Sequence, residues 1–563
     1  MGLFVGQKIA GQKIVGQKRQ RARMVASITL LGCLVLVPAD AGATGSDWLE
    51  VKSPHFTLYT DAGARQGRAV SHQLEQFRSV FARLAPSLEL QSPAPTTLFA
   101  FKDSASYGPF KAGSDRRGAR ILGQFSRTRD GNYLTLDVSA AAGGIGVIYH
   151  EYVHFLVLNN FHQVPLWFNE GLAEYYSTFE LDEDRATLGL PVERHVRWLR
   201  DDLDFSLDEL VYVDSAAASE HDAEELGRFY ALSWLLVHYL LSGGDEEIDG
   251  IVDYFDRLQD GEDAERAFER SFGRRMSTMA DELRTYLAAG TFPSRTVRVR
   301  GAGAGNAQVR PMARADVLFQ LGDLSAHLGK TSQAEALFHQ ALEKRAEHGD
   351  ALAGLAALRD QSQRLNEAEV LFQDALAAGP TRAVSFLNLA RHSLTLAQGG
   401  AKEPELQAAR ARRALDKVLA QMPSFAEALS LKGVAEALPG GDFDAALGAI
   451  TKARRLMPAR QDWLARHIQI LLNGDRLGAA EKMLRDQLEP VSEDYELVSQ
   501  LWQAIDRAHL LKKSREAFAA GDVEEGLRAF DEMVSLATDP ALRAQLEAQL
   551  EDLRRQAESM ERP

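Results

Sequence analysis

Ala334, Phe338 and Ala341 recur as Ala368, Phe372 and Ala375, each displaced by 34 residues. Leu321-Gly322 precedes the first set and Leu355-Ala356 precedes the second at the same spacing, and Pro380 closes the second unit. A fixed period of this length leaves the C-terminal half few choices of fold. Each copy can bury its apolar side only against its neighbours, so the copies must stack. Looser copies follow. Ala411, Leu415, Val418 and Pro423 come after an insertion around 398–405; then Ala446, Ile450, Ala453 and Pro458; then Ala480, Leu484 and Pro490. A last helix pair near 510–536 reads as a cap.

Small residues flanking a large one at this period are the tetratricopeptide pattern: two antiparallel helices per unit, with alanines where the helices cross. The expectation is an all-α tetratricopeptide solenoid over 312–540, a helical tail over 541–563, and a partner protein or the substrate held in the solenoid groove.

The second organising feature lies upstream. His150, Glu151 and His154 spell H-E-x-x-H. On a helix the two histidines share one face and can grip one metal ion from consecutive turns. Glu151 is then beside them, placed to act on a metal-bound water. The motif sits in an apolar run from Ile145 to Leu158, where two polar rings need a partner, and a shared metal serves both. A second helix starting near Leu166 carries Trp167-Phe168-Asn169-Glu170-Gly171.

These two stretches together resemble the gluzincin metallopeptidases, in particular the peptidase MA-like group related to aminopeptidase N. The resemblance covers roughly Trp48 to Ala289. It implies an α+β gluzincin-like metallopeptidase domain holding one Zn2+ through His150, His154 and Glu170, with Glu151 as general base. It further implies that Glu174, one turn after Glu170, supports a zinc histidine from behind. Tyr230, in Phe229-Tyr230-Ala231-Leu232-Ser233, would donate to the tetrahedral oxyanion. His238 on the same helix reads as structural. No segment like the Gly-x-Met-Glu-Asn of aminopeptidases is present, so an endopeptidase is expected rather than an exopeptidase. The rival readings are a tetratricopeptide scaffold with an inactive domain, and a zinc hydrolase of non-peptide bonds.

The rest of the domain, 45–290, reads as mixed α and β. Short strands are expected at 56–60 and 96–101, a helix over 65–84, and a hairpin over 123–138 whose edge could pair with an extended peptide. Residues 180–225 hold 15 acidic residues against 4 arginines. This reads as a solvated surface in preference to a cleft rim for basic substrates. The Gly- and Ala-rich stretch 291–311 reads as an interdomain linker.

Residues 1–44 read as a leader: a basic cluster at Lys18–Arg23, an apolar run from Met24 to Pro38, then Ala41-Gly42-Ala43. The expectation is a bacterial periplasmic or secreted protein, with membrane contact only if that segment stays uncleaved. The single cysteine, Cys33, falls inside the apolar run, so thiol catalysis and cysteine-ligated zinc are set aside. The net charge of −15 argues against a nucleic-acid partner.

Overall fold

The computed structural model describes residues 45–561 except 85, 87, 89, 91, 93, 112–122, 129–130, 141–143, 162–163, 214–222, 300–306, 400–402, 458–459, 491, 493 and 539. The leader with Cys33, and Gly301 to Gly305, lie outside the described residues. Among those described, no helix is long and apolar enough to cross a membrane.

The chain forms two compact units. The first runs to Leu358 and takes in Gln373–Gly379; the second comprises Arg359–Phe372 and Pro380 onward. In the first, strand β3 (Thr96–Phe101) shows why a two-faced sheet forms. Its side chains alternate, sending Leu98 and Ala100 into one core and Phe99 and Phe101 into another. Strands β2 (Thr57–Thr60) and β5 (Asn132–Asp137) divide the same way, with Leu58, Leu134 and Leu136 against Tyr59 and Tyr133. With β1 (Gly45–Lys52), β4 (Gly123–Arg127) and β9 (Gln308–Ala313) they make a six-stranded sheet in the order β4-β5-β3-β2-β1-β9. The pairs β2/β3 and β3/β5 are parallel and the others antiparallel. Strands β4 and β5 are the hairpin expected over 123–138.

A parallel β2/β3 pair needs a crossover, and helix α1 (Gly63–Leu84) supplies it. Its stripe Val70, Leu74, Phe77 and Phe81 is buried, at the spacing a one-faced helix requires. Phe77 stacks on Tyr149 at 4.4 Å and meets Tyr152 and Phe179 edge-on. Those contacts seat α2 (Gly144–Asn160) against α1. Helices α3 (Leu166–Ser177), α4 (Glu193–Asp201) and α5 (Ala223–Ser242) continue the layer, and helical segments over 245–289 complete it.

The opposite, aromatic face of the sheet is covered by α6 (Arg314–His327). Val317, Leu321 and Leu324 join Trp48, Tyr59, Phe99, Phe101 and Tyr133 in one cluster. The Tyr133 hydroxyl donates to Asp323 Oδ2 at 2.6 Å, and Lys330 Nζ donates to the Pro109 carbonyl at 2.7 Å.

The linker expected over 291–311 is therefore corrected. Strand β8 (Arg295–Arg298) joins β6 (Glu180–Asp182) and β7 (Arg185–Leu188) in a small sheet, while β9 extends the large one beside β1. Each presents only one fully buried side chain, Val297 in β8 and Met312 in β9. Outer strands need so little apolar alternation that the glycine-rich composition between them dominates the pattern.

Beyond α6 the repeats run as helix pairs. Helix α6 pairs with α7 (Thr331–Lys344), and α8 (Gly349–Gln361) precedes α9 (Leu365–Ala378). The first pair shows the reason for the small positions. A Cβ on Gly322 would come 2.7 Å from the Phe338 ring, and one on Gly354 would come 2.6 Å from it. In the second unit come α10 (Ala383–Gln398) with α11 (Pro404–Gln421), then α12 (Ala426–Glu436) with α13 (Phe443–Leu456). These are followed by α14 (Gln461–Asn473) with α15 (Leu477–Met483), then α16 (Tyr495–Ala519), α17 (Val523–Ser535) and α18 (Pro540–Glu561).

Candidate metal centre

His150 and His154 stand one turn apart on α2, with their Nε2 atoms 3.1 Å from each other. Helix α3 brings up Glu170, whose Oε2 is 3.5 Å from His150 Nε2 and 3.3 Å from His154 Nε2. Among the described residues this is the one group of three or more His, Cys, Asp or Glu arranged to hold a metal ion.

The spacing can be tested against a metal. Tetrahedral zinc with bonds of about 2.0–2.1 Å sets neighbouring ligand atoms roughly 3.3 Å apart, and the three distances here bracket that value. Glu170 Oε2 is buried with the two imidazole nitrogens as its near polar neighbours, and a shared cation would give all three atoms a common partner. Two imidazole nitrogens and one carboxylate oxygen suit zinc. The residues fit the ion.

Close helix packing produces this convergence. Gly171, next to Glu170, lies against α5; a Cβ there would come 2.3 Å from the Ser233 carbonyl oxygen and 2.6 Å from Val237 Cγ2. The Pro165 carbonyl accepts the Phe168 and Asn169 N–H groups and starts α3. The three ligand side chains keep between 13% and 17% exposure, so the site is reachable from solvent.

Each histidine has a group behind it. His154 Nδ1 lies 3.1 Å from Asn169 Oδ1 and donates to it, which leaves Nε2 as the ring atom turned toward Glu170. His150 Nδ1 lies 3.7 Å from Glu174 Oε1. Its other partners were not foreseen. Arg194 Nη2 donates to Glu174 Oε1 at 2.8 Å, and His195 Nε2 is 3.2 Å from Glu174 Oε2. Both come from α4, inside the acidic stretch read as solvated surface. No spacing rule ties them to Glu174. The basic pair amid acids at 194–195 was the only available signal.

The electrostatics follow from burial and pairing. Burial opposes the ionised form of Glu170, but His150 and His154 outweigh it and hold the carboxyl at about 2. Glu174 is likewise opposed by burial and held at about 2 by His195, His150 and Arg194. Burial works against a charged His154, yet the Glu170 carboxylate raises it to about 9. For Glu151 burial wins: its carboxyl is raised, against the lowering pull of His150, His154 and a hydrogen bond from the Phe125 backbone on β4. Tyr230 is half-buried on α5, one turn before Ser233. The cluster that could hold an ion is His150, His154 and Glu170, and Tyr230 is not part of it.

Fold and site together define an α+β unit bearing a histidine–histidine–glutamate cluster, continued by tetratricopeptide repeats. The tetratricopeptide repeat family matches residues 315–388, and a family described as a protein of unknown function, DUF1570, matches residues 144–258. No curated protein matches the chain. Several solved structures are similar. YrrB, a TPR protein with an unusual peptide-binding site, is 20% identical, with 33% of this chain and 90% of that one covered and a TM-score of 0.28. TTC0263, a TPR protein of Thermus thermophilus, is 21% identical, covering 34% and 98% with a TM-score of 0.27. Pseudomonas aeruginosa PilF is 18% identical, covering 42% and 97% with a TM-score of 0.27.

Proposed function

We propose that the first unit is a zinc-dependent peptidase of the gluzincin type, an exported endopeptidase, and that the repeats bind a protein partner or the substrate. The observation that carries the reading is the convergence of His150 Nε2, His154 Nε2 and the buried Glu170 Oε2 at metal-ligand spacing, with Glu151 adjacent in sequence.

His150 Nε2, His154 Nε2 and Glu170 Oε2 would hold the ion. Bound zinc supplies Lewis acidity, acidifying a water and polarising the scissile carbonyl. Glu151 takes the proton of the attacking water on its carboxylate and passes it to the leaving amine nitrogen. The Tyr230 hydroxyl donates to the developing oxyanion. Strand β4 is outermost in its sheet and in contact with Glu151 through Phe125, so its outer edge is where an extended peptide would pair.

The test is metal analysis and peptide-library cleavage by the mature chain beside Glu151→Gln. Wild type is expected to hold one zinc and cleave; Glu151→Gln keeps the zinc and loses at least about 1,000-fold in kcat/KM, on the scale of losing a general base together with its nucleophile activation. A wild type with zinc that cleaves no faster than the variant would leave the repeats as a scaffold. A wild type without zinc removes the central claim.

A further inference from the structure

Glu174 is 4% exposed, and three basic groups surround its carboxylate. Oε1 lies 3.7 Å from His150 Nδ1 on one side and accepts from Arg194 at 2.8 Å on the other. Oε2 lies 3.2 Å from His195 Nε2. His195 is 2% exposed, with its ring 6.0 Å from that of Trp234 on α5. Arg194 is 68% exposed and reaches inward from the first turn of α4. The helix that carries both is fixed by Trp198, which lies over Gly227 of α5; a Cβ at Gly227 would come 2.0 Å from the indole.

We propose that Arg194 and His195 are positioning residues for the metal centre: they clamp the Glu174 carboxylate behind His150 and so set the affinity of the three-ligand cluster for zinc. The inference rests on the zinc reading above. A ligand histidine needs an acceptor on its second nitrogen to fix tautomer and ring orientation, and loss of that acceptor typically weakens metal binding 10–100-fold. A carboxylate serves only if it is itself held. On α3 alone Glu174 could swing about its side-chain torsions. The Arg194 hydrogen bond to Oε1 and the His195 ring 3.2 Å from Oε2 restrict that swing and keep Oε1 on the His150 side. Arg194 is on the surface, so its guanidinium can be removed with little disturbance to the core.

The experiment is competition of the full chain, stripped of metal, against a chromophoric zinc chelator. Arg194→Met, His195→Gln and Glu174→Gln are each expected to raise the zinc dissociation constant by about 10-fold or more. Arg194→Met in the Glu174→Gln background should add less than about threefold, because the arginine acts through that carboxylate. Arg194→Lys should recover most of the affinity, and the metal-free melting temperature of Arg194→Met should match wild type. If wild type binds one zinc and Arg194→Met binds it equally well or more tightly, the inference is overturned. It is also overturned if the Arg194→Met and Glu174→Gln losses add in full. A wild type that binds no zinc overturns the zinc reading itself, a different outcome from either.

Discussion

His238 separates a structural histidine from the ligand pair. It is fully buried on α5; its Nε2 donates to the Gly189 carbonyl at 2.9 Å, and its Nδ1 accepts from the Tyr286 hydroxyl at 2.9 Å. Gly189 sits at φ +69, in the left-handed region, with the Tyr175 ring where a Cβ would be. Burial lowers the imidazole from its usual 6.5 to about 4. The unfolded ring therefore takes up a proton as pH falls through about 6.5, while the folded ring resists until about 4. Its contribution is fully present above that window and is lost on acidification, on the order of 3 kcal/mol at most. Denaturant titrations at pH 7.5 and pH 4.5 should show a smaller pH dependence for His238→Gln than for wild type; equal dependence would sink the assignment. At this scale the clustering of the three side chains was legible because His150 and His154 are related by local helix geometry, and Asn169-Glu170-Gly171 marks a second helix start. Arg194 and His195 were not, because only tertiary packing relates α4 to Glu174.

The elements depend on small residues at close approaches. At Gly171 the close neighbour is backbone, and the residue lies between Glu170 and Glu174 on the same helix. Gly171→Ala must displace α3 from α5, because the obstructing atom is the Ser233 backbone carbonyl and cannot rotate away. The expected cost is about 1–3 kcal/mol, together with a weaker zinc dissociation constant, since Glu170 moves with the helix. Melting and chelator competition on one variant check both; a variant with wild-type zinc affinity would show that the ligand position is set elsewhere. In the second unit polar side chains link the repeats. His392 is fully buried, with Nδ1 2.6 Å from Asp360 Oδ1 and Nε2 3.0 Å from Glu369 Oε2, and Arg410 pairs with Glu369 at 2.8 Å. His392→Leu takes the imidazole from Asp360 while Glu369 keeps Arg410, and should destabilise the array by about 1–3 kcal/mol, read as a lower melting temperature of the helical signal. The helix pairs were legible from the 34-residue period. These ionic links were not, because the period reports the apolar positions and is blind to polar ones that vary between repeats.

At the scale of the whole first unit, the period also concealed where the repeats begin to serve another purpose. Sequence alone put a boundary at 291–311, since composition changes there. The structure instead uses β9 as a sheet strand and α6 as the lid of the aromatic face, so the first repeat helix belongs to the α+β core. Met312, Val317, Leu321 and Leu324 bury apolar side chains against that face. At about 1.5–3 kcal/mol for each, they contribute on the order of 6–12 kcal/mol, comparable with the entire net stability of an ordinary domain. A fragment of residues 45–300 loses all four and bares Trp48, Tyr59, Phe99, Phe101 and Tyr133. It should bind a hydrophobic dye, aggregate on a sizing column and fail to hold zinc, although every proposed ligand is present. A fragment of residues 45–379 keeps the covering helix and should be monomeric, melt cooperatively and bind zinc. A shorter fragment that is monomeric and melts at the temperature of the longer one would show that the aromatic face needs no cover, and that the repeats are joined to the α+β core by the chain alone.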